Sequence, residues 1–594
     1  MASIKLTINE QKVTARAGQT ILEAAQEAGI DIPTLCHHPA LKPIGACRVC
    51  LVEVSGQRAL QPACTFPVAE GLEVQTESPK VVEARKFVLE LIFSERNHFC
   101  MYCEMSGDCE LQTLAYRYGL DHMIYPTYTE RFPVDGTPPY FLLDHNRCVL
   151  CRRCVRVCSE VVAHHTLDLR QRGSATMVHA DMDLPLGASS CISCGTCLDV
   201  CPTGALIDKR SAFMGREVET EIVKTICSQC SLGCGIEVVT RAGNLLRIQG
   251  DWGAPVNGGA LCAMGRFEPL YDKRPRILAP LVRDRGKQEE AGWDRALQAA
   301  ADRISGTDPD RLGVLASTHA TNEALYLLGK LFGRELQTTR IGLLNASTPL
   351  LAAGSQGSLA DVAESDCILV VSADPAKEQP VASFFVKRGV DGGAQLILVD
   401  AEETDLAPFA HVNVRASNID EAVDRAQRSE SPAVVYGAGV TDEVANTLAK
   451  LNGKAAFVGL QPGVNTRAAM TNGLENGLDP SCVEVLYVLV GEEDWDSDET
   501  MKQVREGTFL IVQASYASPL TERADVVLPM AVWSERSGTL TNTEGLVQEA
   551  HKATEPSGEA RPDWEILSLL GEKLGKRLGG SLGEIAERAS HQHH

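Results

Sequence analysis

The cysteines of this chain are concentrated in its N-terminal part. Nineteen of the 21 lie within the first 262 of 594 residues, and their spacing divides them into five sets. A hydrophobic core does not need thiols at such regular intervals, whereas iron–sulfur clusters are held by cysteine thiolates. The sequence therefore predicts several iron–sulfur clusters, which in series would form a path for electrons.

The length and net charge of the chain limit its number of domains and the kinds of partner that it can bind. A chain of 594 residues is expected to hold roughly four domains. Its formal net charge of -22 argues against binding nucleic acid or an anionic membrane surface. We expect no transmembrane span, because no apolar run reaches about 18 residues. With no secretory pattern at the N-terminus, we expect a cytoplasmic protein whose thiols bind metal rather than form disulfides.

The first set lies in residues 1–80. Alternating polarity predicts a strand at Ile4–Ile8, then a second strand and a helix over about residues 20–28. This order, followed by a cysteine loop, is that of a β-grasp ferredoxin. Four thiols with one close C-x2-C pair suit a 2Fe-2S cluster, and zinc is the alternative. The four candidate ligands are Cys36, Cys47, Cys50 and Cys64.

The second set, in residues 81–120, contains only three cysteines. A histidine just before them can supply the fourth ligand of a 4Fe-4S cluster. Neutral imidazole in place of thiolate makes a cluster less negative and should raise its potential, as in Rieske centres. The candidate ligands are His98, Cys100, Cys103 and Cys109.

Residues 138–210 contain two copies of C-x2-C-x2-C-x3-C, the pattern of a two-cluster ferredoxin. In that pattern the fourth cysteine of each run binds the other cluster. One predicted 4Fe-4S set is Cys148, Cys151, Cys154 and Cys201, and the other is Cys191, Cys194, Cys197 and Cys158. Arg152, Arg153 and Arg156 interleave the first run, either to offset the charge of the cluster or as a solvated helix face.

The last set, in residues 220–276, has the spacing C-x2-C-x3-C-x27-C and predicts a fourth 4Fe-4S cluster. Its candidate ligands are Cys227, Cys230, Cys234 and Cys262. Between them, alternation over Ile236–Gly250 predicts a small sheet. With the run from Gly250 to Cys262, this segment resembles the N-terminal 4Fe-4S domain of the molybdopterin oxidoreductases.

Residues 277–594 alternate short apolar runs with helical patterns, which predicts an α/β domain with parallel sheets. The remaining cysteines, Cys367 and Cys482, lie in or beside apolar runs and are expected in the core. The candidate strands are Ile368–Val371, Leu396–Val399, Val434–Tyr436, Val485–Val490 and Leu510–Val512.

The resemblance to molybdopterin oxidoreductases continues through this domain, on segments such as Thr321–Ala324, Ser372–Ala376 and Gly538–Gly545. Three departures predict that the cofactor has been lost. The donor segment 343–349 offers Ser347 but no cysteine, and Met264 stands where the family often has lysine. Residues 400–404 carry Glu402 and Glu403 where two arginines are usual, and carboxylates would repel a pyrophosphate.

As a whole, the chain resembles the large iron–sulfur subunit of respiratory complex I. It also resembles the diaphorase and electron-transfer subunits of NAD-linked hydrogenases and formate dehydrogenases. The expected fold class is multidomain, α+β and α/β, with the five parts given above. No G-x-G-x-x-G fingerprint for flavin or nicotinamide occurs after a strand.

The resemblance implies an electron-transfer subunit without a catalytic site of its own. It implies a flavin/NAD(H)-binding iron–sulfur partner, a small thioredoxin-like 2Fe-2S partner, and an acceptor-side partner such as a hydrogenase, ferredoxin or quinone module. Two alternatives stay open: a catalytic molybdenum or tungsten enzyme such as a formate dehydrogenase, and a zinc-binding scaffold.

Overall fold

The chain divides into two units, Met1–Glu221 and Ile222–His594. The computed structural model describes residues 3–126, 132–345, 348, 356–401, 404–474, 478–495 and 498–590. Ser347, Glu402 and Glu403 lie outside these described residues. Among the described helices, none is long and apolar enough to cross a membrane.

The N-terminal unit begins with a mixed five-stranded sheet and one helix. The helix Ile21–Glu27 starts at Thr20, whose side chain and the Glu23 carboxylate form a capping box. Ile8, Leu22 and Val52 are among the buried residues of the core that sheet and helix share. In spatial order the strands are Gln11–Arg16, Ser3–Ile8, Glu73–Gln75, Leu51–Val54 and Gln61–Pro62. The predicted strand–strand–helix order is confirmed.

The helices Pro79–Glu95 and Glu110–Arg117 follow this sheet. Leu89 and Leu111 share a small core with Leu35, which immediately precedes the first candidate ligand. The first two cysteine-bearing segments are therefore packed together rather than strung out along the chain.

The rest of the N-terminal unit has little regular structure. Within the described residues its α-helices are the single turns Arg153–Arg156 and Thr196–Asp199, each beginning next to a cysteine, and the first continues into the π-helical turn Val157–Val161. Two small sheets flank them, made of Leu206–Asp208, Phe141–Asp144 and Val134–Asp135, and of Leu167–Arg170 and Met177–Ala180. Loops therefore carry most of the cysteines of this segment.

The second unit opens with a three-stranded sheet, Glu221–Ile226, Gly235–Arg241 and Asn244–Gly250. The last two strands form a hairpin within the segment Ile236–Gly250 that was predicted to be a sheet. The short helices Ala263–Arg266 and Glu268–Tyr271 follow directly after Cys262.

A seven-stranded sheet forms the first α/β layer of this unit. Five strands are parallel, and an antiparallel hairpin that the sequence pattern did not predict extends one edge. In spatial order the strands are Lys287–Glu290, Leu281–Asp284, Val526–Pro529, Phe509–Ala514, Val485–Leu489, Leu312–Ala316 and Arg340–Leu343. Its helices are Trp293–Ser305, Asn322–Leu328, Thr466–Thr471, Asp498–Gln503, Pro519–Arg523, Asp563–Lys573 and Leu582–Ser590.

A second, fully parallel sheet has five strands. Its central strand, Cys367–Val371, is buried at every position, as the continuous apolar run predicted. In spatial order the strands are Val412–Val414, Gln395–Val399, Cys367–Val371, Pro432–Tyr436 and Ala456–Gly459. The strands Gly538–Thr541 and Val547–Ala550 form a separate two-stranded sheet. The helices of the five-stranded sheet are Leu359–Glu364, Pro375–Glu378, Pro380–Asp391, Ile419–Arg428 and Asp442–Leu448.

The two cysteines outside the five sets differ in environment. Cys367 is buried in its strand, as expected. The expectation that Cys482 is a core residue is wrong, because its side chain is exposed. It lies in a turn capped by the Asp479 carboxylate, which accepts hydrogen bonds from Ser481, and the apolar core begins only at Val483.

Candidate iron–sulfur centres

The four cysteines of the first set converge in the structure. The sulfur atoms of Cys50 and Cys64 lie 3.4 Å apart, and the Cys47 N–H points at the Cys36 sulfur over 3.5 Å. Hydrogen bonds with the Cys47 and Cys64 side chains lower the pKa of Cys36. This close group of buried and half-buried thiols fits a small thiolate-bound cluster.

Small residues shape the loop before Cys47. Gly45 has a φ of 61°, and a Cβ at this position would lie 3.3 Å from the Thr65 side chain. The Ala46 backbone contributes to lowering the pKa of Cys36. Larger side chains at positions 45 and 46 would keep these backbone N–H groups away from the sulfur atoms.

The second set surrounds a cavity of about 350 Å³. Its lining includes all four predicted ligands, His98, Cys100, Cys103 and Cys109. Gly204 also lines it, and a Cβ there would lie 2.8 Å from the Cys103 sulfur. Only a glycine at position 204 therefore lets the neighbouring backbone pass so close to this thiol.

His98 has the features expected of a metal ligand. Its Nε2 is buried and has no hydrogen-bond partner among the described residues. Burial lowers the pKa of the imidazole to about 4, so the ring is neutral, while a backbone hydrogen bond at Ile92 acts in the opposite direction. A neutral ring held from one side and unpartnered on the other is the usual state of a histidine before metal binding.

Two further cavities, of about 350 and 390 Å³, lie in the ferredoxin-like segment. Each is lined by three cysteines of one run and the fourth cysteine of the other run. The first is lined by Cys148, Cys151, Cys154 and Cys201, and the second by Cys191, Cys194, Cys197 and Cys158. Burial raises the pKa of Cys148 and of Cys158 to about 11. Thiolates at these positions therefore need a bound cation to stabilise them.

The last set lies in the second unit. The Cys227 N–H donates to the Cys234 carbonyl over 2.8 Å, which closes the first loop. A Cβ at Gly265 would lie 3.0 Å from the Cys227 sulfur and 3.9 Å from the Cys262 sulfur, which brings these two ends of the set together. Burial raises the pKa of Cys227 to about 12. Burial raises the pKa of Cys230 as well, and the charges of Cys262 and Cys227 add to this effect.

Within the described residues, no three His, Cys, Asp or Glu side chains meet closely enough to bind a single metal ion. The second, third and fourth sets line cavities instead. Cavities of this size, lined by thiols and one unpartnered imidazole, fit multinuclear clusters.

Two arginines tie the ferredoxin-like segment to the His98 site. Arg147, next to Cys148, forms an ion pair of 2.7 Å with Glu104. Arg153 binds both carboxylate oxygens of Glu110, at 2.6 and 2.8 Å. These two carboxylates were not predicted as functional residues, although each directly follows a candidate cysteine ligand. The single contact of Arg147 and the bidentate contact of Arg153 hold the two cysteine loops in fixed positions.

The solvated-face interpretation of the arginine run is wrong for two of its three members. Arg152 is exposed, but Arg153 and Arg156 are only 4% and 7% exposed. The reason is that this short helix is covered on one side by other cysteine-bearing segments. Arg156 donates to the backbone carbonyls of Cys36 and Lys42.

The carboxyl edge of the seven-stranded sheet is where such folds bind ligands. In this chain, buried charged and polar side chains at that edge bind each other. Arg536 forms an ion pair of 2.9 Å with Glu492, and Ser317 donates to Glu493. Because the charge of Arg536 is already shared with Glu492 and Asp563, this arginine does not fit the role of a partner for an anionic pterin cofactor.

Five family models match consecutive parts of the chain. They are a 2Fe-2S iron-sulfur cluster binding domain over 1–79, the NADH-ubiquinone oxidoreductase-G iron-sulfur binding region over 85–123, the ferredoxin-like domain of NADH-quinone oxidoreductase subunit 3 over 138–207, the molybdopterin oxidoreductase Fe4S4 domain over 220–270, and molybdopterin oxidoreductase over 276–573.

Curated relatives align over nearly the whole chain. NADH-quinone oxidoreductase subunit 3 of Thermus thermophilus is 29% identical, over 99% of this chain and 84% of the relative. The NADPH-Fe(3+) oxidoreductase subunit alpha of Geobacter sulfurreducens is 28% identical, over 96% and 81%. The mitochondrial NADH-ubiquinone oxidoreductase 78 kDa subunit of Neurospora crassa is 29% identical, over 97% and 81%.

Among solved structures, a chain of an NAD+-reducing [NiFe]-hydrogenase in the H2-reduced state is 38% identical. The match covers 36% of this chain and 91% of that chain, with a TM-score of 0.35.

The chain belongs to the molybdopterin oxidoreductase family, whose model matches half of it. Its N-terminal half carries 2Fe-2S and 4Fe-4S cluster domains in front of that family domain. Together, the domain models and the relatives make it an iron–sulfur subunit of the type found in complex I. The resemblance stated from the sequence is thereby confirmed.

Proposed function

We propose that this chain is the iron–sulfur electron-transfer subunit of an NAD(H)-linked oxidoreductase complex. The observation that carries this proposal is the convergence of the cysteine sets in the structure, three of which line separate cavities. Relatives along the whole chain are named as subunits of NADH- and NADPH-linked oxidoreductases. The chain contributes the position and potential of the clusters, while partner subunits supply the catalytic chemistry.

The proposed cofactors are one 2Fe-2S cluster and four 4Fe-4S clusters, with the ligand sets given above. The proposed domains are 1–80, 81–120, 138–210, 220–276 and 277–594, the last without molybdopterin. Thiols in this number stay available for iron in a reducing compartment such as the cytoplasm.

The proposed partners are a flavin/NAD(H)-binding iron–sulfur subunit, a small thioredoxin-like 2Fe-2S subunit, and an acceptor-side subunit or ferredoxin. The acceptor could be a hydrogenase or quinone module. The names of the relatives include both quinone and Fe(3+) acceptors, so this type of subunit serves more than one acceptor.

Metal analysis of anaerobically purified protein tests this proposal. The ligand sets predict about 18 irons per chain, with no stoichiometric zinc, molybdenum or tungsten. Zinc in place of iron would contradict the electron-transfer function and favour a scaffold.

The alternative is a catalytic molybdenum or tungsten enzyme such as a formate dehydrogenase. The family domain over residues 276–573 favours it, whereas Met264 and the self-paired charges at the sheet edge oppose it. Stoichiometric molybdenum or tungsten with bound pterin would establish this alternative.

A further inference from the structure

Arg156 connects two of the candidate cluster sites in the N-terminal unit. It lies on the short helix Arg153–Arg156, two residues from Cys154 and two from Cys158, which belong to different cluster sets. Its guanidinium donates to the carbonyl of Cys36 and, over 2.5 Å, to the carbonyl of Lys42. One side chain therefore touches the backbone of a candidate 2Fe-2S ligand from a position that has a candidate 4Fe-4S ligand two residues away on either side.

The contact is reinforced one helical turn further on. Glu160 accepts a hydrogen bond of 2.8 Å from the Lys42 N–H. Arg156 and Glu160 thus bind both polar groups of the Lys42 backbone, and Arg156 also binds Cys36. The segment 36–42 is therefore held at its two ends by Arg156 and by Glu160 of the helical turn Val157–Val161 that follows, and the cluster that Cys36 would bind is held with it.

Arg156 differs in its partners from the two arginines that tie the ferredoxin-like segment to the His98 site. Arg147 and Arg153 each pair with a carboxylate, Glu104 and Glu110. Within the part of the chain that the structure describes, Arg156 has only carbonyl partners, and its Nε has none. Because its partners are carbonyls rather than a carboxylate, this guanidinium, which is 7% exposed, places a cation next to Cys36 without an ion-pair partner among the described residues.

We propose that Arg156 is the positioning residue that couples the candidate 2Fe-2S site to the two-cluster ferredoxin segment. It fixes the Cys36–Lys42 segment against the helix, and its charge raises the reduction potential of the 2Fe-2S cluster. A nearby cation stabilises the added electron, and hydrogen bonding around a ligand tunes the cluster it holds. This inference rests on the proposed function, because it takes Cys36 as a cluster ligand.

The test compares Arg156→Gln with wild type and with Arg152→Gln, which removes the same charge from an exposed neighbour. We expect Arg156→Gln to lower the midpoint potential of the 2Fe-2S EPR signal by about 59 mV, a tenfold change for one electron. We also expect weaker magnetic coupling of that signal to the 4Fe-4S signals, and faster amide hydrogen exchange over residues 36–42. Arg152→Gln should change none of the three.

Arg156→Lys separates charge from geometry. It keeps the positive charge but cannot bridge two carbonyls in the same way, so the potential should stay near wild type while exchange over residues 36–42 increases. If the Arg156→Gln protein does not bind the 2Fe-2S cluster, hydrogen exchange over residues 36–42 in the Arg156→Lys protein tests the positioning role instead. Potential, coupling and exchange at wild-type values in Arg156→Gln, or unchanged exchange in a loaded Arg156→Lys, would overturn the inference.

The proposed function fails in a different way. If wild-type protein lacks a 2Fe-2S signal, or if that signal survives Cys36→Ser, then the ligand assignment is wrong. A normal wild-type signal that Arg156 does not influence contradicts only the role of Arg156.

Discussion

Single residues around each candidate site determine the reduction potential that its cluster would have. The thiols of the first set are close enough to hydrogen-bond to each other, whereas those of the ferredoxin-like segment are spread around cavities. His98 adds a neutral ligand to one site only. The five sites should therefore differ in potential even though four of them would hold the same type of cluster.

Cys64→Ser tests the first ligand set. We expect it to abolish or disturb only the 2Fe-2S signal in low-temperature EPR and to remove at most about 2 irons per chain. Cys482→Ser is the matched control, because Cys482 is exposed and outside every set. Loss of a 4Fe-4S signal in Cys64→Ser would show that the grouping is incorrect.

His98→Cys tests the imidazole ligand. A thiolate in place of a neutral ring adds negative charge, so the potential of this 4Fe-4S cluster should fall, with iron content unchanged. A redox titration followed by EPR measures the shift. His551→Cys also adds a thiol, at an exposed position in the second unit, and should leave the potential unchanged. An unaltered potential in His98→Cys would mean that His98 is not a ligand.

At the level of elements, the important feature is that two cysteine runs exchange their last member. The short helices Arg153–Arg156 and Thr196–Asp199 carry these runs and lie close enough for Cys158 to enter the cavity of the second run. Cluster assembly in this segment therefore depends on tertiary packing as well as on spacing.

If the last cysteine of each run binds the cluster of the other run, replacing cysteines from different runs should remove the same cluster. Cys158→Ser and Cys191→Ser should remove the same 4Fe-4S signal, and the double variant should resemble either single one, because residues of one site are not additive. Cys154→Ser should remove a different signal. EPR spectra of the four variants measure this. If Cys158→Ser instead resembles Cys154→Ser, each run holds its own cluster.

At the scale of the whole molecule, the first four cysteine sets lie entirely in Met1–Glu221, and the last lies in the second unit. The second unit is mostly conventional α/β core, with strands such as Cys367–Val371 buried throughout. Its stability should depend on apolar packing, whereas the cysteine-bearing unit has few long elements and should depend on its clusters.

Leu369→Ala tests whether the second unit is stabilised by apolar packing independently of the clusters in the first unit. Leu369 is fully buried in the five-stranded sheet, so its truncation should lower the free energy of unfolding of the second unit by about 2–5 kcal/mol. Denaturant titration measures the loss, and the 2Fe-2S signal and the other signals of the first unit should be unchanged. Leu278→Ala, at a side chain that is 50% exposed, should cost less than about 0.5 kcal/mol. Loss of first-unit clusters in Leu369→Ala would contradict this division.

Much of the architecture followed from local pattern. The capped helix after Thr20, the hairpin within 236–250 and the buried strands of the parallel sheets obey periodicity and capping rules that operate over a few residues. The edge hairpin Leu281–Asp284 with Lys287–Glu290 was missed, because its residues are partly exposed and lack a long apolar run.

The sequence by itself determined the family and predicted the cysteine sets and their grouping, because ligand spacing is a local property of the chain. Only the tertiary structure decided that Arg153 and Arg156 are buried, that Glu104 and Glu110 pair with arginines, and that Cys482 is exposed. The contact of Arg156 with Cys36 joins residues 120 positions apart. Such contacts depend on how whole segments pack, which no short pattern encodes.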